Sequence, residues 1–140
     1  MNVLMLLKHK KEVAYLYDTN TLRQGLEKMK VHGYTAIPVL AADGSYVGCV
    51  SEGDFLWHML EHQSCDIKGQ EEYLVKDIIR KDFNPAVKID VSMEELLERS
   101  MYQNFIPVVD DRNFFIGIVT RQDIIRSMMQ RAEARISQYL

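Results

Sequence analysis

The chain has 140 residues, 47% of them apolar and 26% charged, with only seven Gly and three Pro, a size and composition suited to one domain or to two small repeats sharing a core. Seventeen basic residues against 20 acidic ones leave a formal charge of -3, so no excess positive field exists to hold a phosphate backbone, and DNA or RNA is not an expected partner. The early apolar run Val3 to Leu7 falls short of the roughly 20 residues that span a bilayer and of the apolar part of a secretory signal; a cytoplasmic protein with no membrane partner is expected.

Taken from the start, Val3 to Lys8 reads as a leading helical piece and Tyr15-Leu16-Tyr17 as a short strand. The polar turn Asp18-Thr19-Asn20-Thr21 then precedes Leu22, Leu26 and Met29, whose spacings of four and three lay an apolar stripe along a helix. Thr21 is placed to cap it, because its side-chain oxygen can satisfy an amide of the first turn. A strand over Tyr34-Thr35-Ala36-Ile37-Pro38-Val39-Leu40 bends at Ala42-Asp43-Gly44-Ser45 into another from Tyr46 through Gly48 to Ser51, which runs into a helix carrying Asp54. The polar stretch Glu61 to Glu72, containing Gly69, reads as an exposed link.

The same order then returns. Tyr73 to Ile79 is the second leading piece, Ala86 to Ile89 the short strand, and Ser92 the cap of a helix with Met93, Leu96, Leu97 and Met101 on one side. Strands follow over Asn104 to Val109 and Phe114 to Thr120, joined by the turn Asp110 to Asn113, and a last helix carries Asp123. Pro38 and Pro107, Gly48 and Gly117, Ser51 and Thr120, and Asp54 and Asp123 all stand 69 residues apart, a regularity that marks an internal repeat. The copies differ upstream, where Asp18 to Pro38 is 20 residues and Asp90 to Pro107 is 17. A sheet of two or three strands with helices on one side leaves its other face apolar, and a second copy covers it. The expected fold is therefore α+β (α/β-like): two pseudo-twofold repeats, residues 1–70 and 71–140, packed sheet to sheet with clefts between them.

A strand bearing Ile-Pro-Val, a turn, and Gly-x-x-(Ser/Thr)-x-x-Asp before a helix, present as Gly48 to Asp54 and as Gly117 to Asp123, resembles the CBS-domain pair, or Bateman module, over essentially the whole chain. The resemblance implies a regulatory module that binds adenine nucleotides in two symmetry-related clefts and associates as a homodimer. Val13-Ala14-Tyr15, Gly33 to Leu40 and Thr120-Arg121 are in addition similar to stand-alone bacterial CBS proteins that bind cyclic di-AMP, which implies ligand contacts at Ala14, Tyr34, Thr35, Thr120 and Arg121. Glu12 stands where such proteins can present a lysine. AMP, ADP or ATP on one side and cyclic di-AMP on the other are both carried as regulatory ligands, with a regulated protein as downstream partner.

The residues allow a plainer reading as well. A hydroxyl three residues before an acid at a strand-to-helix junction is a short-armed capping box, which accounts for Ser51 with Asp54 and for Thr120 with Asp123 without any ligand. What favours a ligand at the second pair is Arg121, a guanidinium beside free helix amides; Glu52 stands at its equivalent in the first copy and opposes an anion. Tyr34 offers a flat face for a purine, and the backbone near Thr35 and Ala36 can read its edge; the alternative is an aromatic at a sheet end. Asp123 suits paired ribose hydroxyls, of which a 3'-5' cyclic dinucleotide keeps one per ribose. The Thr120 cleft is expected to be the tighter for phosphorylated ligands, with Ser51, Asp54, Val87 and Phe105 forming a weaker second cleft.

No catalytic set is expected. Cys49 lies inside an apolar strand as a small hydrophobe, Cys65 has no partner spacing, and His58 and His62, four apart with Glu61 between them, lack the further ligands a zinc site needs. The helices over Leu22 to Met29, Asp54 to Leu60, Leu96 to Met101 and Asp123 to Met129 are the expected dimer surface, and the tail from Arg126 to Tyr139-Leu140 is read as a cover for a partner subunit or a cleft. An interaction module with vestigial clefts is the remaining alternative.

Overall fold

The computed structural model describes residues 2–80 and 82–139. Two sheets carry the fold. In the first half the strand β2 (Leu16–Tyr17) lies parallel to β3 (Ala36–Leu40), which pairs antiparallel with β4 (Tyr46–Ser51); the helix α1 (Leu22–His32) connects β2 to β3, and α2 (Glu52–His62) follows β4. The second half repeats this with β5 (Val87–Lys88), α4 (Met93–Ser100), β6 (Phe105–Val109), β7 (Phe115–Thr120) and α5 (Arg121–Gln138). Each hairpin keeps the same register, Pro38 facing Cys49 and Pro107 facing Ile118.

Local chemistry explains the helix boundaries. Thr21 Oγ1 accepts from the Gln24 amide at 3.1 Å while Gln24 Oε1 accepts from the Thr21 amide at 2.9 Å, a reciprocal cap. Ser92 caps α4 through the Glu95 amide at 3.1 Å. Gly33, at φ 68°, closes α1 in the left-handed conformation that glycine adopts freely. The three-residue difference upstream of the prolines is the difference between the 11 residues of α1 and the 8 of α4.

The halves are interlocked by their leading segments. Val3, buried at the start of the chain, packs with Val87, Leu96, Ile106 and Ile124 of the second half. Val75 and Ile78 pack with Leu22, Ile37, Val50 and Phe55 of the first. A strand β1 (Lys8–His9) adds antiparallel to β7, opposite Ile118 and Gly117, so the second sheet has four strands in the order β1-β7-β6-β5. Its first-half counterpart is the single bridge between Arg80 and Cys49. Val13, Leu40, Phe115 and Ile118 join where the sheets face one another, and the two hairpin turns pair through the Ser45 and Phe114 bridge.

Two expectations are corrected. Val3 to Lys8 and Tyr73 to Ile79 are not helices; each holds one 3-10 turn, Val3–Met5 and Val75–Asp77, because these segments are drawn out over the opposite core. Glu61 to Glu72 is largely exposed, as expected, and is not an irregular link. It contains the end of α2 and a further helix, α3 (Ile67–Glu72), capped by Asp66 Oδ1 accepting from the Gly69 amide at 2.8 Å. Ser64 and Gly69 are buried there, and a side chain at Gly69 would come within 2.6 Å of the Ser64 backbone. Arg23 of α1 holds Glu71 of α3 at 2.7 Å. Among the described residues no helix is long and apolar enough to cross a membrane. The tail continues α5 with residues 129–139 exposed; Leu140 lies outside the described residues.

Candidate functional site

The start of α5 organises one cleft. Thr120 ends β7 in an extended conformation, and its Oγ1 accepts from the Asp123 amide at 3.2 Å. Antiparallel pairing sets Thr120 opposite Phe105, and the crossover from α1 into β3 brings Tyr34 and Ala36 across from the other half. Together Tyr34, Ala36, Phe105 and Thr120 line a cavity of about 260 Å³ whose remaining wall includes Lys8 and Glu12. Two aromatic rings and a hydroxyl thus share one small cavity with an ammonium and a carboxylate, a stacking surface beside charges of both signs.

A second cavity, of about 440 Å³, lies on the other side of Lys8, bounded by Met5, Leu6, Leu7, Asp123 and Arg126. Arg126 Nη1 holds Asp123 Oδ1 at 3.2 Å, an exposed pair one helical turn apart, and among the described residues Oδ2 of Asp123 takes no hydrogen bond. Lys8 belongs to both cavities and forms no ion pair among the described residues.

Not every residue singled out in the sequence lines these cavities. Arg121 Nε donates to the Ser100 carbonyl at 2.6 Å, and its side chain lines a neighbouring hollow with Thr120, Asn104, Gln122 and Ile125, of which Thr120 and Asn104 also line the 260 Å³ cavity. The carbonyls at the end of α4 lack helical partners, and a guanidinium satisfies one of them. Ala14 is buried in the first core, while its neighbour Val13 reaches the cavity. Thr35 lies on an adjoining cavity of about 280 Å³ with Ala36, Phe83, Asn84 and Phe105. Val87 is buried in the second core.

Lys8 is the residue that sequence reasoning missed. Its place in β1, beside β7, depends on a strand pairing more than 100 residues away, for which a run of two polar residues gives no signal.

The Ser51 and Asp54 cleft has the same ancestry in the fold and different chemistry. Asp54 Oδ2 accepts from the Ser51 amide at 2.7 Å and from its hydroxyl at 3.1 Å. Asp54 Oδ1 holds Arg80 Nε at 2.7 Å, and Arg80 Nη2 donates to Ser51 Oγ at 3.2 Å. The guanidinium also lies over the Phe83 ring, 4.1 Å from its centre. The expected capping box is thus split between the copies: the acid reaches back in the first, and the hydroxyl reaches forward in the second.

Other reactive groups stand apart. Cys49 donates to the Ile37 carbonyl at 3.1 Å, and burial pushes its thiol up to about 12, which keeps it protonated and weakly nucleophilic. Glycine at 117 admits the β1 backbone, since a side chain there would overlap the Lys8 carbonyl; at Gly48 the Arg80 carbonyl comes to 3.1 Å of the corresponding point.

The sequence pattern that defines the CBS domain matches residues 7–61 and again residues 75–130. The chain belongs to the CBS-domain family. Among curated relatives, the inosine-5'-monophosphate dehydrogenase of Methanocaldococcus jannaschii is 31% identical over 130 residues, which cover 89% of this chain and 23% of the dehydrogenase. Another protein of the same archaeon, uncharacterized, is 23% identical across 92% of this chain and 50% of its own length. The chain thus spans half or less of the length of these relatives. Among solved CBS structures, CbpB in complex with cyclic di-AMP superposes with a TM-score of 0.89 at 19% identity, covering 99% of this chain and 91% of that one. CBSX2 in complex with AMP gives 0.75 at 21% identity, covering 94% and 98%. These likenesses agree with the two-repeat α+β architecture.

Proposed function

We propose that this CBS pair is a regulatory module that binds an adenine nucleotide in the cleft between Tyr34 and Thr120 and passes the binding event to a protein partner. The observation that carries this reading is the meeting of Tyr34, Phe105 and Thr120 on one cavity with Lys8. The rings supply stacking surface for a purine. Lys8, unpaired among the described residues, faces an anionic group. Asp123, with one oxygen free of hydrogen bonds among the described residues, receives ribose hydroxyls in the adjoining cavity. Binding rather than catalysis is the proposed activity, and it carries a signal only through different affinities for two conformations or assemblies.

A second reading, a cyclic di-AMP receptor, is favoured by the adjacency of the two cavities about Lys8, which leaves room for a second base against Met5, Leu6 and Leu7. CbpB, of the same fold, is described with that dinucleotide, and CBSX2 with AMP. Calorimetric titration with AMP, ADP, ATP and cyclic di-AMP separates the readings. Tighter binding of AMP-type ligands supports the first, tighter binding of cyclic di-AMP the second, and no binding of any overturns both in favour of an interaction module.

The proposed dimer surface includes Leu56, Trp57 and Leu60 on α2 and Ile125 and Met129 on α5, all between 48% and 62% exposed. Such exposed large apolar side chains on the equivalent helices of the two repeats are suited to a copy of the same face. Sedimentation of the free and ligand-bound protein tests it; a monomer in both states overturns the proposed assembly.

A further inference from the structure

The two clefts are built from equivalent parts, and one residue distinguishes their contents. Lys8 faces Ile118 of β7, and Arg80 faces Cys49 of β4; Ile118 and Cys49 stand 69 residues apart, so Lys8 and Arg80 are pseudo-twofold mates. Lys8 keeps its charge unpaired among the described residues. Arg80 instead closes on its own cleft, with Nε on Asp54 Oδ1 at 2.7 Å, Nη2 on Ser51 Oγ at 3.2 Å, and its plane on Phe83. Because the Ser51 amide and hydroxyl hold Asp54 Oδ2, both carboxylate oxygens already accept hydrogen bonds from the protein. A ribose diol needs two free acceptor sites on that carboxylate and the space beside it. Next to the Phe83 ring on which the guanidinium lies, a cavity of about 280 Å³ lined by Thr35, Ala36, Asn84 and Phe105, and sharing Tyr34 and Asn104 with the Thr120 cleft, is comparable with the 260 Å³ of that cleft. Room for a base therefore adjoins the Arg80 cluster as well as the Thr120 cleft, while a carboxylate oxygen without a protein partner among the described residues is found on Asp123 and not on Asp54.

We infer that Arg80 is a built-in occupant of the Ser51 and Asp54 cleft, a selectivity residue that excludes ribose-bearing ligands from it and limits the chain to one mononucleotide. This rests on the nucleotide-binding reading for its probe, and the experiment separates the two. The Arg80 side chain is 51% exposed and Asp54 11%, so its removal uncovers the cleft without dismantling a core and leaves the Asp54 carboxylate to the Ser51 amide and hydroxyl, a cost that the ligand-free melt reads.

The test is calorimetric titration of AMP into the wild type, Arg80→Ala and the double variant Arg80→Ala with Asp54→Ala, each melted first without ligand. One site per chain in the wild type, two in Arg80→Ala and one again in the double variant is the expected result. No site in the wild type and one in Arg80→Ala keeps this inference and refutes the nucleotide reading of the Thr120 cleft. Two sites in the wild type, or the same number in the wild type and Arg80→Ala, overturns the inference. Should Arg80→Ala fail to fold, Arg80→Gln replaces it, since it keeps the first methylenes of the side chain and loses the charged fork; the same outcomes decide.

Discussion

Ser51 with Asp54 and Thr120 with Asp123 hold the same places in two copies of one motif, and the structure uses them differently. In the first copy the carboxylate is drawn into the protein by the Ser51 amide and by Arg80, at 2.7 Å each. In the second it meets an exposed Arg126 at 3.2 Å, with Lys8 alongside the shared wall. Motif spacing thus determines where a carboxylate stands. Whether it is free to grip a ligand depends on a residue from a leading segment, which each half contributes to the neighbourhood of a different strand. The difference between the clefts is one of occupancy by side chains, and each side of it can be perturbed separately.

The largest expected effect comes from breaking the strand that places Lys8. Gly117→Ala puts a methyl group into the Lys8 carbonyl and should destabilise the protein by about 3 kcal/mol, as overpacking against backbone does. Gly48→Ala meets the Arg80 carbonyl at 3.1 Å and a flexible Ile79 side chain at 3.2 Å, and should cost about 1 kcal/mol because the neighbour can yield. Guanidinium denaturation of both variants checks the ranking. Equal losses would mean that the two leading segments are held alike, against the pairing described.

The next effect is on binding. Asp123→Asn should weaken AMP by about 1 to 3 kcal/mol, the range of a charge-assisted hydrogen bond, and weaken cyclic di-AMP less, because that ligand has one free hydroxyl per ribose. Asp54→Asn should leave AMP affinity at the Thr120 cleft unchanged. Calorimetry on the two variants reads this directly; equal losses for both ligands in Asp123→Asn would point instead to damage at the α5 cap, which a melt without ligand exposes. Lys8→Gln is smaller, about 1 kcal/mol, since an exposed ammonium on a phosphate is partly screened. Its signature is a loss of the salt dependence of binding, and an unchanged salt dependence would remove Lys8 from the ligand's surroundings.

Much of this fold was readable before the coordinates, and the reasons are local. The 69-residue offset, the caps at Thr21, Ser92 and Thr120, and the strands around Pro38 and Pro107 all follow from turn chemistry and short-range periodicity. Three features were out of reach because they depend on distant partners. Val3 and Val75 each pack in the opposite half, and nothing in a short apolar run says which core it enters. Lys8 and Arg80 have roles only through pairings with β7 and β4. Arg121 donates to the Ser100 carbonyl at the end of α4, a partner 21 residues away that a local motif does not name. Asp66 and Gly69 did carry a legible signal for α3, a helix cap followed by a close approach, which the polar composition of the stretch concealed.

The smallest predicted effect concerns acid, and it again sets one half against the other. His58 of α2 is buried and stacks on His62 with ring centres 4.0 Å apart, with Tyr73 edge-on at 4.4 Å; its equivalent 69 residues on is the buried Ser127. Burial, and then the neighbouring His62, hold the His58 imidazole below its ordinary value of 6.5, while Asp77 and Glu61 oppose this more weakly. Among the described residues His58 Nδ1 has no hydrogen-bond partner, so none of them offers an acceptor for the added proton. With the folded value lowered, the unfolded chain takes up a proton first as pH falls. The contribution of this group to stability is therefore intact above 6.5 and is lost progressively below it. The melting temperature of the wild type should drop by a few degrees on acidification through that window, and His58→Gln should flatten the drop while Ser127→Ala leaves its slope unchanged. Parallel curves for the wild type and His58→Gln would show that the acid response arises elsewhere and that the first half is no more acid-sensitive than the second.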